Sequence, residues 1–116
     1  MFKFVKSLNV IVVENTIHKG FDLDGETFKR VLTRTPDGVL VDVRTPVEFY
    51  EGTIPGAINI DYMAKDFDKK VLILDPTKTY FVFCRNGNRS LAACKAMEKR
   101  KLKVFKLHKG MGSWPS

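Results

Sequence analysis

The segment YFVFC, residues 80–84, is apolar at every position. A strand with one face in water alternates apolar and polar residues, so an unbroken run of this kind reads as a strand covered on both sides. VLVDV (39–43) is a second β-branched run of that type, VFKLH (104–108) a later strand, and Ala57 to Ile60 a short one after the turn at Pro55 and Gly56. Helical patterns lie between them. Asp22 to Thr35 reads as a helix with Asp24 as N-cap and Phe28, Val31 and Leu32 on one face, closed by Pro36, Asp37 and Gly38. TPVEFYEG (45–52) suits a short helix with Pro46 in its first turn and Gly52 at its end. Residues 62–74 carry Met63, Phe67, Val71 and Leu74 at helical spacing, although Val71 to Leu74 also reads as strand. From Arg89 a helix is expected to send Leu91, Ala93, Cys94 and Met97 inward. Strands alternating with helices imply crossover connections and a mostly parallel sheet with helices on both faces. In such a fold ligands bind beyond the carboxyl ends of the strands.

The totals narrow the class. A chain of 116 residues fits one domain, taken as 1–116. Its apolar runs, such as Val10 to Val13 and Val71 to Leu74, fall far short of the ~20 residues that span a bilayer, so no membrane partner is expected. At the start, Lys3 and Lys6 precede an apolar patch that Asn9 interrupts and Glu14 ends without a small-residue cleavage site, which argues against a secretory signal. The two cysteines, Cys84 and Cys94, exclude a disulfide-rich scaffold and suit a reducing, cytoplasmic setting. Neither a CxxC pair nor a zinc-spaced Cys/His set exists, and His18 and His108 lie far apart, so no metal and no cofactor are expected. The net charge of +7 is spread along the chain. Its one cluster, Lys95, Lys99, Arg100, Lys101 and Lys103, lacks interleaved aromatics and reads as a solvated face rather than a nucleic-acid site.

The chemistry is concentrated in CRNGNRS, residues 84–90, at the carboxyl end of the YFVFC strand and the start of a helix. The thiolate is the reactive form of cysteine, and a free thiol is only a few per cent ionised at neutral pH. Three features of the heptapeptide favour the anion: the helix N-terminus, the cations Arg85 and Arg89, and the amides of a tight loop containing Gly87. The same features would receive an anionic substrate. Attack by Cys84 on a sulfane sulfur would give a persulfide, and attack on phosphorus a phosphocysteine. Loop size separates the two, because a tetrahedral phosphate needs a wider ring of amides than one added sulfur atom. From Cys84 to Arg89 the loop has six residues.

CRNGNRS resembles the active-site loop of the rhodanese superfamily. The similarity extends over LVDVRTPVEFYEGTIPGAINI (40–60), FVFCRNGNRS (81–90) and VFKLHKGMGSW (104–114), in the family's order and spacing, and covers about residues 22–114. The resemblance implies a single-domain sulfurtransferase with an α/β, three-layer fold around a five-stranded, mostly parallel sheet. Cys84 would be the catalytic nucleophile, taking a sulfane sulfur from thiosulfate or a similar anionic donor as a persulfide and passing it to cyanide, a thiol or a sulfur-accepting protein. Arg85 and Arg89 would hold the donor, and the backbone of Arg85, Asn86, Gly87, Asn88, Arg89 and Ser90 would cradle the persulfide. Related dual-specificity phosphatases carry a loop one residue longer, so the six-residue loop favours sulfur. Two alternatives stay open: a carrier module that delivers persulfide to a protein partner without turnover of its own, and a phosphatase or arsenate reductase. Asp42 and Arg44 would be architectural, tying the strand end to nearby loops. Thr53 stands where many members have histidine, and Lys109 where a second glycine is common. Cys94 reads as an apolar filler on the helix, Trp114 as a packing residue, and His108 is without a role.

Overall fold

A computed structural model describes residues 2–8 and 10–116. Its centre is β7 (Thr79–Phe83), buried along its whole length as the unbroken apolar run requires. β5 (Gly38–Asp42) and β8 (Lys103–Leu107) pair with it in parallel on either side. With β4 (Asp22–Leu23) and β6 (Ile58–Asn59) they form a five-stranded parallel sheet in the order β4-β8-β7-β5-β6. Side chains of a strand alternate between faces, so β7 feeds two cores. Tyr80, Val82 and Cys84 face one of them, with Ala93, Cys94 and Met97. Phe81 and Phe83 face the other, with Phe28, Val31 and Phe105.

Four helices connect and cover the sheet among the described residues: α1 (Gly25–Thr33), α2 (Pro46–Glu51), α3 (Phe67–Leu72) and α4 (Asn88–Lys99). The helix expected over 22–35 is shorter. Asp24 caps it, accepting from the Thr27 N–H at 2.9 Å, while Asp22 and Leu23 join the sheet as β4 because Phe21 and Leu23 carbonyls accept from the Lys106 and His108 amides. The strand reading of 71–74 fails. Phe67 and Val71, four apart on α3, are buried, whereas Leu72 and Ile73 point to solvent, a pattern of period four and not two. Leu91, expected inward, is 40% exposed. The inward face of α4 is Ser90, Ala93, Cys94 and Met97, and Leu91 lies about 100° round the helix from Ser90.

The apolar patch of the first residues proves to be an antiparallel sheet of β1 (Phe2–Val5), β2 (Val10–Val13) and β3 (Thr16–Lys19). Ile11 and Val13 are buried against the α1 side of the main sheet, and the Phe2 ring meets Phe105 edge-on at 4.9 Å between centroids. Glu14, in the β2–β3 turn, accepts two hydrogen bonds at 2.7 Å from Arg30 of α1, which docks this sheet on the domain. The site lies beyond the opposite end, where β5 and β7 finish. No helix among the described residues is long and apolar enough to cross a membrane.

Candidate active site

Cys84 is the first residue after β7, and its carbonyl accepts from the Met111 N–H at 2.9 Å, so the turn after β8 anchors the start of the loop. The chain then curls back on the sulfur. Cys84 Sγ accepts from the Gly87 N–H at 3.1 Å and the Ser90 N–H at 3.3 Å, and lies 3.2 Å from Ser90 Oγ. Burial of the thiol opposes ionisation and is the largest single influence on it. The Ser90 hydroxyl and the N–H groups of Ser90, Gly87 and Asn86 together outweigh that, holding the thiol below its ordinary range. The sulfur sits on the floor of the loop, with Cys84, Gly87 and Ser90 buried and Arg85, Asn86 and Asn88 exposed on the rim. Asn86 Oδ1 accepts from the Asn88 N–H at 3.1 Å and fixes the bend.

Where the cysteine loop meets the turn after β8, glycine is required on both sides. Gly87 has φ of +97°, a left-handed conformation that only glycine adopts freely, and an added Cβ would lie 2.5 Å from the His108 carbonyl oxygen. An added Cβ on Gly110 would lie 2.3 Å from the Arg85 carbonyl oxygen. The loop is therefore seated directly on the 107–111 turn, backbone against backbone.

Arg89 is engaged within the protein. Its Nη1 and Nη2 donate to the two carboxylate oxygens of Glu48 at 2.6 and 3.0 Å, the two-pronged geometry that suits guanidinium to carboxylate. Arg89 beside Glu48, with help from Thr45, pulls that carboxyl down from 4.5 to about 2 against the opposing effect of burial. Thr45 caps α2 reciprocally with the same Glu48, its Oγ1 accepting from the Glu48 N–H at 3.3 Å. Arg85, in contrast, stands exposed at the mouth. The sequence pattern did not single out Glu48, although its place three residues after Thr45 is the signature of that cap.

Asp42 and Arg44 hold the frame. The Asp42 carboxylate, fully buried, accepts from the Arg44 N–H, from Arg44 Nε and Nη2, and from Thr53 Oγ1 at 2.8 Å. Arg44 Nη2 also reaches the Gly52 carbonyl at 2.6 Å, pinning the end of α2. Thr53 thus has a structural partner at the position where histidine is common. Cys94 is buried on α4, and its thiol is pushed well above the ordinary range by burial. Trp114 packs edge-on against Phe28 on the other side of the sheet, with Lys29 over its ring. Lys109 lies exposed in the turn after β8.

The family model for the rhodanese-like domain matches residues 26–116. The YtwF protein of Bacillus subtilis, which bears a provisional sulfurtransferase name, is 37% identical over 75 residues, covering 65% of this chain and 71% of that one. A protein of Allochromatium vinosum named a sulfurtransferase is 31% identical over 94 residues, 80% of this chain and 86% of its own. Among solved structures, a rhodanese-related protein from Thermoplasma volcanium superposes with a TM-score of 0.71 at 28% identity, over 82% of this chain and 90% of that one. The family match over residues 26–116, together with these relatives and a five-stranded parallel sheet flanked by helices, establishes that the protein belongs to the rhodanese-like family.

Proposed function

We propose that the protein is a sulfurtransferase that carries a sulfane sulfur on Cys84, with thiosulfate or a similar small anion as donor. One observation supports this above the rest: Cys84 Sγ is ringed at 3.1–3.3 Å by the Gly87 and Ser90 amides and the Ser90 hydroxyl, in a loop of six residues. Donors aimed at the sulfur stabilise the attacking thiolate and then the negative charge of the persulfide that replaces it. In the first half-reaction the Cys84 thiolate attacks the outer sulfur of thiosulfate. A sulfur–sulfur bond forms to Cys84, the bond to the sulfonate sulfur breaks, and sulfite leaves with the electron pair. In the second, cyanide attacks the terminal sulfur, giving thiocyanate and restoring the Cys84 thiolate. A thiolate acceptor would leave as a persulfide by the same displacement. Each step is a two-electron displacement at sulfur, in which one bond forms as the S–S bond breaks, and consumes no outside oxidant or reductant.

Arg85 is the cation placed to meet an anionic donor, since it is exposed at the mouth. Arg89, held by Glu48, acts on charge at the sulfur from a fixed position. Asp42 and Arg44 support this arrangement by fixing the segment that carries Glu48.

The test is the intact mass of purified protein after thiosulfate treatment and removal of excess reagent. Addition of one sulfur atom, lost in Cys84→Ser together with thiocyanate formation, is expected. An unchanged mass, with thiocyanate formation equal in the Cys84→Ser variant, overturns the reading.

A further inference from the structure

Lys106 stands in β8 opposite Asp22 of β4 and Val82 of β7. Its side chain is 7% exposed, an unusual place for an ammonium group. Nζ donates to Asp22 Oδ1 at 2.7 Å and to the His108 carbonyl at 2.8 Å. On its other side is the cysteine loop: an added Cβ on Gly87 would lie 3.3 Å from Nζ. The amide of that same Gly87 donates to Cys84 Sγ at 3.1 Å. One glycine therefore separates the buried ammonium from the sulfur, and backbone dimensions put the two within about 9 Å.

Asp22 pairs the ammonium directly, but two positive ends meet here. Burying an ammonium costs free energy unless it is paired, and Gly87 is the N-cap of α4, where the helix dipole already presents its positive end. Neighbouring inward positions of the sheet on this face, Val82 and Val104, are apolar, so packing alone gives no reason for a lysine. Negative charge on Cys84 reverses the balance, because the helix end and the ammonium then both attract it. Three ionisable groups besides Cys84 surround Nζ or its partners: Asp22 from β4, His108 at the end of β8, whose Nδ1 contacts Asp22 Oδ2, and Cys94 from α4.

We propose that Lys106, held by Asp22, is a positioning residue of the site: a buried cation that supports Gly87 from beneath and favours negative charge on the Cys84 sulfur. This deepens the sulfurtransferase reading, which supplies the anion that Lys106 serves, and it identifies a residue outside the cysteine loop that tunes the nucleophile.

The test uses the sign of an electrostatic effect. Lys106→Met removes the cation and keeps the length of the side chain; Asp22→Asn removes the counter-charge and keeps an acceptor for Nζ. The rate of Cys84 alkylation by iodoacetamide is followed against pH by mass spectrometry of the Cys84 peptide. Opposite displacements are expected. Two charges about 9 Å apart at an effective dielectric constant of about 20, discounted for Asp22, predict that Lys106→Met lowers the thiolate fraction at neutral pH by roughly three- to tenfold, moving the midpoint to higher pH. Asp22→Asn moves it to lower pH. Midpoints that stay in place, or that move in the same direction in both variants, overturn the proposal and leave Lys106 as a structural brace. If Lys106→Met does not fold, Asp22→Asn decides alone: a lowered midpoint supports the proposal, and an unmoved or raised one refutes it. Alkylation needs no sulfur donor, so opposite shifts without persulfide formation would defeat the sulfurtransferase reading while sparing this one.

Discussion

Ser90→Ala tests how the thiolate is made. Ser90 is fully buried on the inward face of α4, and its hydroxyl lies 3.2 Å from Cys84 Sγ beside two N–H donors at 3.1 and 3.3 Å. Replacement by alanine removes the hydroxyl alone. Alanine is the best helix former, so the fold should survive, and a melting curve checks that it does. A hydrogen bond to a charged group contributes about 1.5–3 kcal/mol, and about 1.4 kcal/mol is tenfold in an ionisation equilibrium. The thiolate fraction at neutral pH should therefore fall by about tenfold to a hundredfold. The assay is the second-order rate of iodoacetamide alkylation at Cys84 between about pH 5 and pH 10, across the range where cysteine thiols titrate. Its plateau reports access to the sulfur and its midpoint reports ionisation, so a change in loop mobility is separable from a change in charge stabilisation. The midpoint should rise while the plateau changes little. A folded Ser90→Ala variant with the parental midpoint would refute the view that side-chain hydrogen bonding offsets the burial of this thiol.

Other perturbations should act as follows. Arg89 lowers the Glu48 carboxyl to about 2 from 4.5, so the pair stabilises the fold fully above pH 4.5 and the contribution is lost as pH falls toward 2; Glu48→Gln should flatten that acid limb in urea unfolding. Gly87→Ala forces a left-handed alanine, at roughly 1–2 kcal/mol, and drives a methyl into the His108 carbonyl. Its Tm should drop by about 4–10 °C and thiocyanate formation by more than tenfold, as calorimetry and a cyanide assay would show. Arg44→Met leaves the Asp42 carboxylate buried without its partner and should cost about 3–5 kcal/mol in denaturant unfolding. Cys94 should resist alkylation in the native state, because burial raises its thiol far above neutral pH, and Cys94→Ala should leave persulfide formation on Cys84 intact.

Much of this was legible along the chain because the relevant interactions are local. The unbroken apolar run at 80–84 marks the central strand, since a strand covered on both faces has no polar side to show. Thr45, Pro46 and Glu48 announce a capped helix, because a cap closes within one turn. Gly87 between a strand and a helix marks the bend around Cys84. Patterns of similar period were harder to read. Val71 to Leu74 is apolar throughout, and only its contacts show that Val71 and Leu74 pack inward while Leu72 and Ile73 face solvent. The first residues pair among themselves as an antiparallel sheet, but the surface that buries Ile11 and Val13 lies elsewhere in the chain, and the apolar patch alone does not show it.

The sequence by itself determined the parallel α/β framework and the position of Cys84 at a strand end, because periodicity, caps and turn residues are written within a few positions of where they act. Only the tertiary structure decided what surrounds that cysteine. Glu48 and Arg89 are 41 residues apart, and Asp22 and Lys106 are 84 apart. Neither pair has a signature in the chain, since a charge finds its partner through space, and its energy depends on how much water the fold leaves between them.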